Sequence, residues 1–195
     1  MVALSDRTYL TPDQYLTLET QSDVKHEYYD GEIFAMAGAT DSHVTVAGNI
    51  FAMMLTHLRG SGCRVYISDM KARIERRDRF FYPDVMVTCE SKDAETPLYK
   101  SFPKLIIEVL SDSTEAYDRG DKFADYQTLD SLEEYVLIST KRSRIECFRR
   151  GEAGLWILHT FVEGQFSLAS VGFEGAVEAV YESVMFPAAE EPSET

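Results

Sequence analysis

Short runs of β-branched and apolar residues, separated by polar turns, predict that much of this chain forms β-strands. Two of these runs, residues 82–87 and 105–110, have the composition of buried or half-buried strands. Each has one carboxylate in or beside it, Asp84 in the first run and Glu108 in the second. Further strands are predicted over residues 63–67, 70–75, 134–139, 144–149, 156–161 and 166–169.

Apolar residues spaced by three and four predict a long helix over residues 41–58. Asp41 or Ser42 can cap the start of this helix. A second helix is predicted over about residues 115–129, after a turn rich in Ser and Thr. A short helix is also predicted over residues 176–184.

The first part of the chain carries two local signals for defined structure. Thr11 followed by Pro12 and Gln14 predicts a capped helix start, and this helix should run to about residue 20. Asp30-Gly31 between two strand-like pieces is the strongest short signal for a β-hairpin. Glu27 lies at the start of the first strand of that hairpin.

The two strand carboxylates allow two interpretations. Asp84 and Glu108 on neighbouring buried strands would repel, and a hard divalent metal ion suits such oxygen ligands. A carboxylate at a strand end can equally well pair with an arginine or cap a loop. The two runs alone leave both interpretations open.

Three further side chains are candidates for the same site. Lys122 lies on the helix that follows the strand of Glu108, one turn from Asp118, so the chain returns a lysine to the end of that strand. Glu27 arrives from the N-terminal region of the chain. His43, near the start of the helix over 41–58, either fills a structural role or faces a cleft.

Size and composition are those of a soluble globular protein, with 195 residues, 45% apolar and 27% charged residues. No run approaches the roughly 20 apolar residues needed to cross a membrane. The first residues lack a basic head followed by an apolar stretch, so no signal peptide is expected. We therefore expect a cytoplasmic location and no membrane partner.

The net charge of −14 does not favour a nucleic-acid partner, because phosphate binding depends on Lys and Arg. The charge is unevenly spread, however. Residues 59–79 contain seven bases against three acids, and residues 141–150 contain five bases against one acid. These two basic islands could form a phosphate-facing surface or could be solvated strand edges that resist aggregation.

The three cysteines, Cys63, Cys89 and Cys147, lie far apart and lack any spacing typical of zinc sites. Free cysteine behaves as a small hydrophobic residue. Buried thiols in strands are therefore expected, and a thiol nucleophile is not suggested.

Asp84, Glu108 and Lys122 together supply what hydrolysis of a phosphodiester requires. Two carboxylates can hold Mg²⁺, or Mn²⁺ as a substitute, and leave water on the ion. Such an ion polarises a phosphoryl oxygen and lowers the pKa of bound water. A lysine beside it can steady the attacking water, and Glu27 could orient a water in support.

In this light, Pro83-Asp84 and the later Glu108 resemble the motifs of the PD-(D/E)XK nuclease superfamily. Five stretches of the chain are similar to one branch of this superfamily, named "putative restriction endonuclease". They are the run 28–32, His43 at a helix start, and residues 82–85, 107–111 and 118–126. The likeness covers about residues 8–185. Each motif is weak alone, but five in this order are fairly specific.

The resemblance implies an α/β fold with a restriction-endonuclease-like core, in which a central mixed sheet is flanked by helices. It also implies a divalent-metal site formed by Asp84 and Glu108 and DNA as the substrate, and it allows a homodimer. The sequence departs from the superfamily pattern at Leu110, where the motif has lysine. In this branch the lysine comes from the following helix, and Lys122 occupies the matching position.

The sequence thus predicts one domain over residues 1–187 and a disordered acidic tail over 188–195. The leading hypothesis is a metal-dependent DNA endonuclease whose catalytic residues are Glu27, Asp84, Glu108 and Lys122. The alternative is a nuclease-like fold that serves as a binding or assembly module with weak or absent catalysis. A metallohydrolase acting on a small phosphoester is a third reading.

Overall fold

The computed structural model describes residues 9–187, and the acidic tail expected over 188–195 lies outside these residues. The α-helices are α1 Pro12–Glu19, α2 Asp41–His57, α3 Glu115–Arg119, α4 Asp121–Tyr126 and α5 Val177–Val180. The strands are β1 His26–Tyr29, β2 Glu32–Ala35, β3 Arg64–Ile67, β4 Lys71–Ile74, β5 Arg79–Phe81, β6 Val85–Thr88, β7 Tyr99–Lys100, β8 Pro103–Leu110, β9 Glu134–Ser139, β10 Ile145–Arg150, β11 Trp156–Phe161, β12 Gln165–Leu168 and β13 Phe173–Ala176.

Six strands form the largest sheet, in the order β11-β10-β9-β8-β6-β3. Strands β8 and β9 are parallel, while the other neighbours in this sheet are antiparallel. A second sheet has the order β2-β1-β5-β4-β7, and β12 pairs with β13 as a separate ribbon. The architecture is therefore a mixed α/β fold in which helices cover mixed sheets, which confirms the fold class that the resemblance implied.

Two hydrophobic cores lie on opposite faces of β8. Alternation along this strand directs Leu105 and Ile107 into the core shared with α2 and α5, and Ile106 into the core shared with α4 and β5. Glu108 follows the same alternation as Ile106, so its carboxylate points into the second core, and the residue is only 3% exposed. The sheet register itself thus buries an acid, which requires polar partners there.

The N-terminal signals are confirmed by the hydrogen bonds that they predict. Thr11 Oγ1 accepts a hydrogen bond from the Gln14 backbone N–H at 3.3 Å, and Gln14 Oε1 accepts one from the Thr11 N–H at 2.8 Å. The β1–β2 turn has φ of 40° at Asp30 and 91° at Gly31, the conformation that an Asp-Gly hairpin turn requires. This hairpin carries Glu27 on β1.

Two helix predictions need correction. The N-cap of α2 is Thr40, whose Oγ1 accepts from the His43 N–H at 3.4 Å, rather than Asp41 or Ser42. The helix predicted over 115–129 is broken into α3 and α4 at Gly120, whose φ of −110° and ψ of −102° lie outside the helical range. Glycine tolerates such a conformation more readily than other residues do.

The expectation of three buried free thiols is wrong for two of the cysteines. Cys63 and Cys89 form a disulfide, while Cys147 is a buried free thiol. The reason lies in the sheet register: Arg64 faces Thr88 across the β3–β6 pair, so the residues next to them, Cys63 and Cys89, stand opposite each other. Spacing along the sequence gave no sign of this pairing.

Candidate active site

Asp84 and Glu108 meet because β6 and β8 are adjacent antiparallel strands. Val85 faces Ile107 across this pair, which brings the preceding Asp84 beside Glu108. Asp84 Oδ2 also accepts a hydrogen bond from the Val109 backbone N–H at 2.8 Å. The Asp84 carboxylate is therefore fixed against the strand that carries Glu108.

Lys122 joins the acids from the side of α4. Its Nζ lies 2.9 Å from Glu108 Oε1, 3.4 Å from Asp118 Oδ1 and 3.4 Å from Glu27 Oε1. The side chains of Lys122, Glu108 and Asp118 are at most 7% exposed, so these charges interact with little screening by water. One ammonium group thus bridges acids that come from β1, β8 and α3.

Glu27 reaches the site because β1 pairs with β5, the strand just before Asp84. Tyr28 faces Phe80 in this pair, and the backbone N–H of Tyr82 donates to Glu27 Oε1 at 3.5 Å. The side chain of Glu27 is 15% exposed, close to the 17% of Asp84. These two acids therefore lie at the open side of the cluster, while Glu108 lies at its base.

His43 also belongs to this cluster, which resolves the two alternatives left open by the sequence. Its Nε2 lies 3.3 Å from Asp84 Oδ2, because the start of α2 faces the end of β6. Burial favours the neutral imidazole, but the hydrogen bond to Asp84 and the charge of Asp84 outweigh burial and raise the pKa of His43. His43 therefore faces the same opening as Asp84.

Negative charge exceeds positive charge within this cluster. Burial raises the pKa of Glu108 well above its ordinary value, although Lys122 acts in the opposite direction. Burial would lower the pKa of Lys122, but the carboxylates around it, with Glu108 foremost, raise it. Lys122 is therefore a fixed cation among four acids, Glu27, Asp84, Glu108 and Asp118, and the site favours an additional positive charge.

The donor atoms fit a small, hard cation. Among the described residues, Glu108 makes its polar contacts through Oε1 and Asp84 through Oδ2, and each carboxylate has a second oxygen. No group of three or more His, Cys, Asp or Glu side chains within residues 9–187 has a spacing that would hold a metal ion. Mg²⁺ commonly uses only one or two carboxylates and retains several waters, so a two-acid site suits it.

Two members of the cluster were not singled out as site residues from the sequence. Asp118 contacts Lys122 directly, and the Tyr126 hydroxyl donates to Glu108 Oε1 at 3.1 Å. The signal for both was helical spacing, because Asp118, Lys122 and Tyr126 are each four residues apart. The helix break at Gly120 does not prevent the first of these contacts.

The two basic islands are largely neutralised by acids, so the interpretation of a phosphate-facing surface loses support. Arg79 and Arg77, for example, lie 3.3 Å and 3.4 Å from the two carboxylate oxygens of Asp125. The bases of the islands that pair with carboxylates are Arg73, Arg76, Arg77, Arg79, Lys141, Arg144 and Arg149. Within the part of the chain that the structure describes, no helix is long and apolar enough to span a membrane.

A mixed α/β fold with two acids on adjacent strands and a lysine from the next helix defines a restriction-endonuclease-like protein. The chain belongs to the Uma2 family, described as "Putative restriction endonuclease", whose family model matches residues 12–180. A nuclease-like function is therefore its assignment at the level of the family.

Two relatives from the cyanobacterium Synechocystis sp. are similar over most of their length. "Uncharacterized protein slr1290" is 35% identical over 178 residues, which cover 91% of this chain and 94% of that protein. "Uncharacterized protein sll1609" is 32% identical over 160 residues, which cover 81% and 90%. Both similarities support the family assignment.

A solved structure shares the fold. The crystal structure of "a putative nuclease belonging to DUF820" from Anabaena variabilis superposes with a TM-score of 0.72. The match covers 90% of this chain and 99% of that one, at 14% sequence identity. At this identity the likeness concerns the fold alone, and it agrees with the restriction-endonuclease-like core expected from the sequence motifs.

Proposed function

We propose that this protein is a metal-dependent DNA endonuclease that hydrolyses phosphodiester bonds. The observation that carries the proposal is the contact of Lys122 Nζ with Glu108 Oε1 at 2.9 Å, beside the Asp84 carboxylate on the adjacent strand. A buried lysine among more acids than it can neutralise is costly unless one acid takes up a proton or a cation completes the site. The family assignment supports the same reading.

In this proposal Asp84 and Glu108 would hold Mg²⁺, or Mn²⁺ in its place, beside the contacts that they make with His43 and Lys122. When bound, the ion would polarise the scissile phosphate and lower the pKa of the attacking water. Lys122 orients that water and stabilises the charge that develops on phosphorus. Glu27 assists as a second carboxylate that holds the lysine amine, at 3.4 Å from its Nζ.

His43 and Tyr126 have positioning roles in the proposed reaction. The imidazole lies 3.3 Å from Asp84 Oδ2 and so restricts the rotation of that carboxylate. The hydroxyl of Tyr126 donates to Glu108 Oε1 and fixes the rotamer of that side chain. Each residue reduces the freedom of a ligand and thereby the cost of binding the ion.

The experiment is a cleavage assay on plasmid DNA with Mg²⁺ or Mn²⁺, with EDTA as the metal-free control. We expect cutting by the parent protein with either ion and none with EDTA. Asp84→Ala should cut at least 100-fold more slowly, because a ligand of the metal is lost. Glu163→Ala, a change of an exposed acid away from the cluster, should cut at the parent rate. Equal rates for the parent and Asp84→Ala would refute the proposal.

A nuclease-like fold that binds without efficient cleavage is the second candidate. Two observations favour it: the net charge of −14 and the pairing of most bases of the two islands with acids. Titration calorimetry separates the two candidates. Mn²⁺ binding that is lost in Asp84→Ala, without cutting of any nucleic acid, would favour the module.

The location and the assembly state are also part of this proposal. We expect a cytoplasmic protein that acts on DNA as a homodimer. The edge of β11 is a suitable surface for pairing with a second copy, because Trp156–Phe161 contains no acid or base other than His159 and has no strand beyond it among the described residues. Ile157 and Leu158 are 53% and 47% exposed there, one on each face of the sheet.

A further inference from the structure

An exposed aromatic ring stands beside the candidate active site. Phe34 on β2 faces Glu27 on β1 in the antiparallel register, so both side chains lie on the same face of the hairpin. Phe34 is 51% exposed, although this face leads directly to Lys122 through Glu27. A ring of this size beside a charged site offers an accessible apolar face on which a planar ligand could pack.

The ring is held in place from one side. Tyr29 packs edge-on against Phe34 with a centroid distance of 5.5 Å. Tyr29 is itself fixed by Phe81 at 5.2 Å and by Tyr117 at 6.0 Å. Phe34 is therefore a supported ring with an accessible surface, which is the arrangement that aromatic side chains use when a nucleic-acid base stacks on them.

The chain between Phe34 and the start of α2 carries no positive charge. Residues 35–40 are Ala-Met-Ala-Gly-Ala-Thr, and they lead to His43 and the 60%-exposed Val44. This border of the site offers apolar contacts and little attraction for phosphates. A base, rather than a backbone, is the part of a nucleic acid that matches such a surface.

The distribution of basic side chains points the same way. A protein that follows a DNA duplex needs Lys and Arg side chains available to phosphates along both strands. Here most bases of the two islands form ion pairs with acids of the same chain, including Arg76 with Asp130 and Arg149 with Glu134. A base that stacks on an aromatic ring adds binding energy that needs no further basic side chain, so stacking can contribute even in a chain of net charge −14.

We propose that Phe34 is a stacking platform for an unpaired base next to the scissile phosphate, and that the substrate is single-stranded or locally unpaired DNA. This inference rests on the proposed endonuclease function and specifies its substrate class. In a duplex each base is stacked on its neighbours and paired, so the ring can receive it only after unstacking. An unpaired strand offers the base without that cost.

Binding can be tested without cleavage, in EDTA, with an oligonucleotide that carries the fluorescent base 2-aminopurine. We expect the parent protein to bind the single strand more tightly than the duplex of the same sequence. Phe34→Ala should weaken single-strand binding about 5- to 100-fold, the range found when a stacked aromatic side chain is removed. Phe34→Trp keeps an aromatic ring at this position, so it should bind the single strand with most of the parent's affinity and quench the fluorescence of 2-aminopurine.

Phe102→Ala is the matched control, because Phe102 is 39% exposed and lies on a loop outside the cluster. We expect its affinity for the single strand to equal that of the parent. Equal affinities of the parent and Phe34→Ala for the single strand would overturn the inference, as would an equal loss for single strand and duplex. Failure of the parent to bind single strands at all would overturn it too.

Cleavage assays keep the two proposals distinct. If the parent cuts DNA and Asp84→Ala does not, but Phe34→Ala cuts single strands with unchanged KM, the endonuclease proposal stands and the stacking proposal fails. If no DNA is cut while Phe34→Ala weakens single-strand binding in EDTA, the catalytic proposal fails and the ring retains its binding role. We expect Phe34→Ala to raise KM for single strands and to change kcat little.

Discussion

Replacing Lys122 by methionine removes a charge from the centre of the site while retaining an unbranched side chain of similar length. The lysine contacts Glu108, Glu27 and Asp118 at 2.9 to 3.4 Å, and its side chain is only 7% exposed. Loss of one member of a buried ion pair typically costs about 3–5 kcal/mol, because a buried charge is left without its partner. Glu108 can escape part of that cost by taking up a proton, so we expect about 3 kcal/mol.

The loss of stability in Lys122→Met should depend on whether a divalent metal ion is present. In Lys122→Met the acids retain their charge or their proton, and a divalent cation can replace part of the missing positive charge. We therefore expect the free energy of unfolding, measured with urea in EDTA, to fall by about 3 kcal/mol and to recover in part with Mn²⁺. DNA cutting should fall by about 10²–10³-fold, the usual effect of removing one group that stabilises the transition state.

A matched substitution and a double variant test the reasoning. Lys141→Met removes a lysine that is 51% exposed and pairs with Asp112 and Glu115, and it should change stability little, because water screens exposed ion pairs. Glu108→Gln combined with Lys122→Met should be more stable than the sum of the single variants predicts, since neither charge is then left alone. Lys122→Met with parental stability in EDTA and parental cutting would refute the assignment of this lysine.

Three further predictions concern other parts of the chain. Burial would raise the pKa of Glu134, but the hydrogen bonds from Ser170 and Arg149 outweigh burial and lower the pKa in the folded protein. The charged Glu134 therefore stabilises the fold above about pH 4.3, the pKa of glutamate in the unfolded chain. This stabilisation is lost as the pH falls through the lower pKa of the folded protein. Glu134→Gln should therefore destabilise by about 2 kcal/mol at pH 7 and by less at pH 3.5, as measured by urea unfolding; an equal loss at both values would contradict this. Reduction of the Cys63–Cys89 disulfide, which spans 26 residues, should lower the free energy of unfolding by about 3.5 kcal/mol in the chain-entropy account. An unchanged midpoint of urea unfolding in dithiothreitol would argue against the bond. Ile157→Lys at the β11 edge should shift the sedimentation coefficient to that of a monomer if two copies pair there, whereas a parent that is already monomeric would exclude the dimer.

Local structure in this chain could be predicted from residues that are close in sequence. The cap at Thr11, the Asp30-Gly31 turn and the alternation along β8 each depend on fewer than ten neighbouring residues. The same proximity explains the error at the cap of α2, because the actual cap Thr40 is adjacent to the predicted Asp41 and only the backbone conformation distinguishes them. Residues that are close in sequence thus determined which helices and strands form, but not the exact residue at which each one begins or ends.

Contacts between distant residues could not be predicted in the same way. The disulfide depends on the register of β3 against β6, and Arg76 meets Asp130 across 54 positions of sequence. Neither pairing leaves a periodic signal, since each follows from how whole elements pack together. The basic islands therefore looked available to phosphates in the sequence, whereas the fold had already supplied their counter-ions.

The candidate site combines both kinds of information. The strand pattern predicted where Asp84 and Glu108 would lie, and the helical position of Lys122, supported by the resemblance to a family, made this lysine a candidate. The packing of α3 and β1 against α4 also brings Asp118 and Glu27 into contact with the Lys122 amine. The resulting excess of carboxylates over basic groups is the physical reason to expect a cation at this site. Because most bases of the two islands are paired with acids, the proposed reaction would rely on positive charge within the site, from Lys122 and from an ion held by Asp84 and Glu108.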